Sequence, residues 1–295
     1  MQGRATAPAA GTVLNALATG TGAAFAIDAD TTASVALDAT AGAEATVRGS
    51  VAGAPDADTA LVERCVELAV DRWAPDADID PDAVGGEVHT ESDVPMAAGL
   101  KSSSAAANAT VLATASALDA DPDPLEACRI GVRAARDAGV TVTGAFDDAS
   151  ASMLGDLTVT DNTTDELLAH DPVDWNVLVW TPPERAYSAD ADVARCEQVA
   201  PMAELVADLA SAGDHGRAMT VNGLAFCAAL DFPTDPIVDA LPDATGASLS
   251  GTGPSYVAVF DPDGDDDRDA VAERWRDRDG DVRRTTTRSD GARIQ

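Results

Sequence analysis

Between Pro95 and Leu118, a loop of small residues passes straight into a stretch rich in Ala, Ser, Thr and Leu that contains neither Gly nor Pro. The loop reads Pro95-Met96-Ala97-Ala98-Gly99-Leu100-Lys101-Ser102-Ser103-Ser104-Ala105-Ala106-Ala107. Ser103 to Leu118 is therefore expected to form a helix whose first turn sits on that loop. Small side chains let backbone N–H groups approach an anion closely. The helix start adds unpaired N–H groups and the positive end of its dipole at the same spot. Three serines supply hydroxyls for phosphate oxygens or for a magnesium ion, with Ser103 the candidate metal ligand. Lys101 supplies an ammonium and is the only lysine in the sequence. A lysine kept in a chain that has otherwise shed them points to a task arginine does poorly, such as a compact charge at a phosphate. The spacing around Lys101 is not Gly-x-x-x-x-Gly-Lys-Ser/Thr, so the loop is not that of a P-loop NTPase.

The rest of the chain is acidic to an extreme: 51 Asp and Glu against 19 Lys and Arg, a formal net charge of −32. The acidic residues are mostly Asp and run the whole length, while an apolar content of 45% is too high for an acidic disordered protein. Nucleic acid and anionic membrane are disfavoured as partners. Spread acidity with almost no lysine suits molar salt, because at about 1 M the Debye length is roughly 3 Å and self-repulsion is screened. Cys65, Cys128, Cys196 and Cys227 lie far apart with no CxxC pair, which favours buried thiols in a reducing cytosol over disulfides or a zinc site. His89, His170 and His215 are equally scattered. No stretch reaches the roughly 20 apolar residues that span a bilayer. The N-terminus shows no basic segment followed by an apolar one, so a cytoplasmic location is expected.

Strands are expected at Ala23–Ile27, Thr32–Leu37, around Glu44–Val51 and at Gly86–Ser92, with a helix over Asp58–Trp73 from its apolar spacing. Asp123–Ala138 reads as a further helix ended by Gly139. A domain border is placed near Gly155 and Asp156, giving units 1–155 and 156–295. The second unit reads as a strand at Leu157–Thr160, an apolar strand at Trp175–Trp180, and helices at Val193–Ala212 and Ala218–Ala229. Strand, Gly-rich turn and strand then cover Ala247–Phe260, followed by a helix at Ala270–Arg278 and a strand at Val282–Thr287. Strands and helices mix without regular βαβ alternation, which argues for α+β.

The loop at Pro95–Ala107 resembles the second motif of the GHMP kinase superfamily, whose common form is Pro-x-x-x-Gly-Leu-Gly-Ser-Ser-Ala. Gly246-Ala247-Ser248-Leu249-Ser250-Gly251-Thr252-Gly253-Pro254-Ser255 is similar to its glycine-rich third motif. Thr143-Gly144-Ala145-Phe146-Asp147-Asp148-Ala149 is similar to the mid-chain Gly-x-x-Asp block. The three blocks agree in order and spacing, and the resemblance covers nearly the whole chain. Gly-Leu-Lys in place of Gly-Leu-Gly, the TGAFDDASAS block, and Gly11-Thr12-Val13-Leu14-Asn15-Ala16 resemble the archaeal-type shikimate kinase branch. The resemblance implies a ribosomal protein S5 domain 2-like N-terminal domain, a ferredoxin-like C-terminal domain, and ATP with Mg²⁺ as cofactors. It also implies shikimate as the small-molecule substrate, in a monomer or small homo-oligomer. One departure is the absence of an N-terminal lysine, which mevalonate kinases carry; Arg4 cannot lose its proton and can only stabilise charge.

Phosphoryl transfer needs an in-line hydroxyl, neutralised phosphates and a group that orients or deprotonates the nucleophile. The resemblance implies Asp147 for that last role, with Asp148 as the alternate and Lys101 beside them. Residues Pro95 to Ala105, with Gly251 and Gly253, are the expected ATP contacts, and Arg4, Thr12 and Asn15 the substrate candidates. Homoserine kinase, mevalonate kinase and a non-catalytic sensor of the same fold remain alternatives. Asp261, Asp263 and Asp265 hint at a calcium loop, but Asp266 stands where its glycine belongs. Ser103 with His89 or His215 lacks the strand–turn–helix context of a hydrolase.

Overall fold

The computed structural model describes all residues except 40–44, Met96, 187–189 and 265–266. Met96 of the expected ATP loop, Glu44 of an expected strand, and Asp265 and Asp266 lie outside the described residues.

The chain opens with two long antiparallel strands, β1 (Gln2–Leu14) and β2 (Thr21–Asp38). β1 carries Ala5, Ala7, Ala9 and Ala10, all fully buried, so it is covered on both faces and shows no in–out alternation. β2 is one continuous strand where two were expected. Its second half pairs with β4 (Gly85–Ser92), which also carries the parallel edge strand β3 (Val47–Val51). Its first half pairs with β5 (Leu157–Asp161), which pairs in turn with β6 (Glu166–Asp171). Helices α1 (Ala60–Trp73), α2 (Ser102–Ala117), α3 (Pro124–Asp137) and α4 (Phe146–Leu154) gather over this sheet around one core. α2 is small-residue-rich, buried nearly all round from Ala105 onward, and sits centrally. It lies so close to β1 that a Cβ on Gly3 would come within 2.0 Å of the Ala113 carbonyl oxygen.

A second sheet follows, with β7 (Asn176–Thr181), β8 (Gly246–Leu249), β9 (Tyr256–Phe260) and β10 (Asp281–Thr286) in the order β10-β7-β9-β8, all antiparallel. Between β7 and β8 run α5 (Val193–Glu197), α6 (Ala200–Ser211), α7 (His215–Leu230) and α8 (Asp235–Ala240); α9 (Arg268–Arg276) joins β9 to β10. This is the split βαβ, ferredoxin-like arrangement. The single helix expected over Val193–Ala212 is two, because Pro201 lacks the N–H a helix interior needs and sits in the first turn of α6.

The expected division at residues 155 and 156 falls at the end of α4. Gly155 ends α4, but β5 and β6 stay in the first sheet, so the two sheets part between Asp171 and Asn176. The tail also returns: β11 (Arg293–Ile294) pairs with β1. A core of Val13, Phe25, Val177, Phe226 and Val257, with their neighbours, is shared by both sheets and fixes one against the other. All four cysteines are buried and unpaired, and burial pushes the Cys196 and Cys227 thiols up to about 11.

Candidate active site

The phosphate-type loop is held from three sides. Leu100 is buried in the shared core, and its carbonyl accepts the Ala10 N–H at 3.3 Å. Gly99 has φ +77°, and a Cβ there would lie 2.5 Å from the Ser250 carbonyl oxygen, so only glycine fits between the two loops. Ser250 Oγ donates to the Gly99 carbonyl at 2.8 Å. On the outer side the Ala97 carbonyl accepts the Ala186 N–H at 3.2 Å. Lys101 then takes the left-handed conformation, φ 63°, and its carbonyl accepts the Ala105 N–H as α2 begins. No acidic residue occupies the first turn of α2, so its positive end is not neutralised from within. Ser103 is exposed there, with Ser102 and Ser104 half-buried.

The two aspartates arrive on another helix start. Ala145, at φ 51°, turns the chain into α4, and Asp147 and Asp148 fall in its first turn, where the dipole favours carboxylates. Asp147 is 4% exposed. Its N–H donates to Asn162 Oδ1 at 3.1 Å, and its Oδ1 accepts from Asn162 Nδ2 at 2.7 Å. Asp148 faces Lys101, whose Nζ lies 2.7 Å from Oδ1. The two groups form a close, half-buried charge pair. Burial, with the Asp147 charge beside it, raises Asp148 to about 7, while Lys101 pulls the other way.

The Gly-rich loop between β8 and β9 closes the site. Gly251 donates its N–H to Thr12 Oγ1 at 2.7 Å and accepts from Asn15 Nδ2 at 2.9 Å. The Asn15 N–H goes to Asn222 Oδ1 at 2.9 Å, and Asn222 Nδ2 goes on to Ser248 Oγ at 3.0 Å. A cavity of about 50 Å³ remains, lined among others by Asn15, Lys101, Asp147, Asp148, Gly251 and Thr252. All three sequence blocks therefore converge on one point. Gly253 lies on the same loop at φ +81°, its backbone against the Phe232 ring.

Arg4 does not join them. It sits near the far end of β1 from Thr12, roughly 26 Å away along an extended strand at ~3.3 Å per residue. There Arg4 Nη1 donates to Ser34 Oγ at 3.0 Å and Nε to Gln295 Oε1 at 2.8 Å. It lines a separate, open cleft of about 670 Å³ on the sheet surface. The structure therefore places Arg4 on the surface, apart from Thr12 and Asn15. Thr12 and Asn15 reach the site, but their side chains are committed to Gly251. Three residues escaped the sequence reading altogether: Asn162 under Asp147, Asn222 under Asn15, and Arg136. The Arg136 guanidinium clamps Asp165 with two 2.6 Å contacts and donates to the Thr143 and Asn162 carbonyls. Nothing in their local sequence marks them.

Residues present fit a nucleotide and its metal. Gly99 and Gly251 leave a backbone cradle that a Cβ would fill, since a Cβ on Gly251 would lie 2.8 Å from Lys101 Nζ. Asp148 Oδ1 and the serine hydroxyls are hard oxygen donors of the kind that share Mg²⁺ with phosphates.

A small-residue loop at one helix start facing paired carboxylates at another is the arrangement expected of a small-molecule kinase. Residues 60–156 match the GHMP kinases N terminal domain and residues 203–280 the GHMP kinases C terminal domain. The chain belongs to the GHMP kinase family. It is 65% identical over 99% of both chains to a shikimate kinase of Halobacterium salinarum. It is 47% identical to a shikimate kinase of Methanosarcina mazei, covering 89% of this chain and 87% of that one. The fold is shared with the homoserine kinase of Cytophaga hutchinsonii (TM-score 0.72, 17% identity, covering 100% and 97%). It is shared also with the mevalonate kinase of Methanococcus jannaschii (TM-score 0.75, 13% identity, covering 96% and 98%).

Proposed function

We propose that this enzyme transfers the γ-phosphoryl group of ATP to the 3-hydroxyl of shikimate, giving shikimate 3-phosphate and ADP for aromatic amino-acid synthesis. The observation that carries the reading is the meeting of Lys101, Asp147 and Asp148 at the starts of α2 and α4, beside the Gly251 loop. Identity of 65% along essentially the whole chain supports shikimate over homoserine or mevalonate, which are acted on by relatives alike in fold alone.

Asp147 takes the proton of the attacking hydroxyl on its Oδ2, since Oδ1 is engaged by Asn162. Pro95 to Ala105 and the backbone of Gly251 and Gly253 hold the phosphates, and Lys101 adds a positive charge where negative charge gathers. Asp148 keeps Lys101 in place, and with Ser103 it would hold Mg²⁺. Bound magnesium–ATP supplies the phosphoryl group and the metal charge that offsets its oxygens. Thr12 and Asn15 fix the Gly-rich loop over the site.

The same reading has the enzyme in the cytoplasm, as a monomer or small homo-oligomer, without nucleic-acid or membrane partners. A net charge of −32 disfavours nucleic acid and anionic membrane as partners, and among the described residues no helix is long and apolar enough to cross a membrane.

ADP release measured with shikimate, homoserine and mevalonate in parallel, in molar KCl, tests the substrate. Turnover with shikimate alone is expected. Turnover with either of the others and none with shikimate overturns the reading.

A further inference from the structure

Asn162 lies in the turn after β5, 3% exposed, 15 residues beyond Asp147 and outside every recognised block. Its N–H is anchored on the Gly20 carbonyl at 2.8 Å, and its own carbonyl accepts from Arg136 at 3.1 Å. The side-chain amide is almost fully used. Oδ1 accepts the Asp147 N–H at 3.1 Å and the Thr160 hydroxyl at 2.8 Å. Nδ2 donates to Asp147 Oδ1 at 2.7 Å and reaches Thr143 Oγ1 at 3.4 Å. The backbone N–H of Asp147 can only donate, so it must face the amide oxygen. This leaves the amide nitrogen toward the carboxylate and settles which way the group points.

One asparagine thus grips the same aspartate twice, by backbone and by side chain. The opposite face of that carboxylate is equally shaped. Gly22 of β2 stands over it, and a Cβ there would lie 2.5 Å from Oδ2 and 2.6 Å from Cγ. Oδ1 is therefore occupied, while Oδ2 has the room that a side chain on β2 would remove. A carboxylate free to rotate would offer either oxygen in many directions, whereas a clamped one meets an in-line hydroxyl in a single geometry.

We propose that Asn162 is a positioning residue of the phosphoryl-transfer reaction, holding Asp147 by Oδ1 so that Oδ2 alone is presented to the substrate hydroxyl. The inference rests on Asp147 being the residue that takes the hydroxyl proton. Asn162 itself touches no reacting atom. The charged groups facing the pair are Asp148 and Lys101 on the cavity side and Arg136, paired with Asp165, behind Asn162.

The test is a double-mutant cycle of Asp147→Asn and Asn162→Ala, assayed in molar KCl with thermal melts alongside. Asn162→Ala is expected to lower kcat about 10- to 100-fold with KM for ATP and shikimate within about threefold. In the Asp147→Asn background it should change kcat by less than about threefold, because there is nothing left to position. A kcat for Asn162→Ala within threefold of wild type, with Asp147→Asn disabled, overturns this inference and leaves the role of Asp147 standing. Equal losses in both backgrounds overturn it too, since Asn162 would then act through something else. Near-wild-type turnover in Asp147→Asn overturns both readings together. Should Asn162→Ala not fold, Asn162→Asp decides. It is isosteric, keeps both acceptor contacts, and donates to Asp147 only while protonated. Its kcat relative to wild type should fall as pH rises, and a ratio independent of pH overturns the proposal.

Discussion

At the residue scale, Lys101 is matched to its surroundings as a compact charge. It sits at the start of α2, it pairs with Asp148, and a Cβ on Gly251 would lie 2.8 Å from its Nζ. A guanidinium is planar and broader, so Lys101→Arg restores the charge without fitting the space. Lys101→Ala is expected to lower kcat/KM for ATP by about a hundredfold or more, and Lys101→Arg to recover only part of it. Steady-state kinetics of the two variants checks this, and wild-type kinetics for the alanine variant would sink the assignment. Asp148 yields a second expectation, about stability. Its pKa is raised from 3.8 to about 7 in the folded protein, mainly by burial. A raised carboxyl binds its proton more tightly when folded, so its contribution is full below about pH 4 and is lost as pH climbs towards 7. Relative to Asp148→Asn, the wild type should lose stability steadily across that window and then level off. Chemical denaturation of both proteins at several pH values measures it. A difference that stays flat or grows with pH would contradict the sign.

At the element scale, the Gly-rich loop is held by a relay from β1 through α7 to β8. Asn222 accepts the Asn15 N–H and donates to Ser248, and it is 1% exposed. Asn222→Ala leaves that buried N–H without its partner, which costs about 1–3 kcal/mol. The expected result is a lower denaturation midpoint together with a raised KM for ATP, because the loop bearing Gly251 loosens. A normal KM in a destabilised variant would confine Asn222 to the core. This relay also marks what the sequence could reveal. Lys101 and the Asp147–Asp148 pair were legible because their neighbours in the chain are also their neighbours in the site. Asn222 and Asn162 were not, since their partners lie 207 and 15 residues away and no periodicity records such pairings. β1 was missed for another reason. Alanines buried on both faces give neither alternation nor the β-branched composition by which strands are read. Arg4 was placed with Thr12 because both stand in the N-terminal block, yet an extended strand carries them to opposite ends of the sheet.

At the scale of the whole molecule, charge sets the conditions under which the fold and the site work. A net charge of −32 on a compact body brings like charges closer than the unfolded chain does. At about 0.01 M ionic strength the Debye length is roughly 30 Å, so most of those charges repel one another. At about 1 M it is roughly 3 Å and only immediate neighbours interact. Salt also weakens the attractive pairs, such as Arg64 with Asp137 and Arg293 with Asp290. Exposed pairs like these are worth little individually, about 0–1 kcal/mol. Partly buried ones are screened less: Arg288, 8% exposed, joins Asp30 and Asp290 where the tail returns to β2. With 51 acidic residues and 19 basic ones, repulsion outweighs what the pairs can return, so relief of repulsion wins. The melting temperature should therefore rise steadily with KCl from about 0.01 to 1 M, and NaCl should act similarly at first because screening does not distinguish them. On the proposed reading the site responds with the opposite sign, since ATP is an anion and its attraction to Lys101 and to the start of α2 would itself be screened. The ratio kcat/KM for ATP should accordingly climb while folding improves, reach a maximum, and flatten or fall at the highest salt. Thermal melts and initial rates on one KCl series separate the two effects. A melting temperature indifferent to salt below 1 M would show that the acidity is not an adaptation to salt at all.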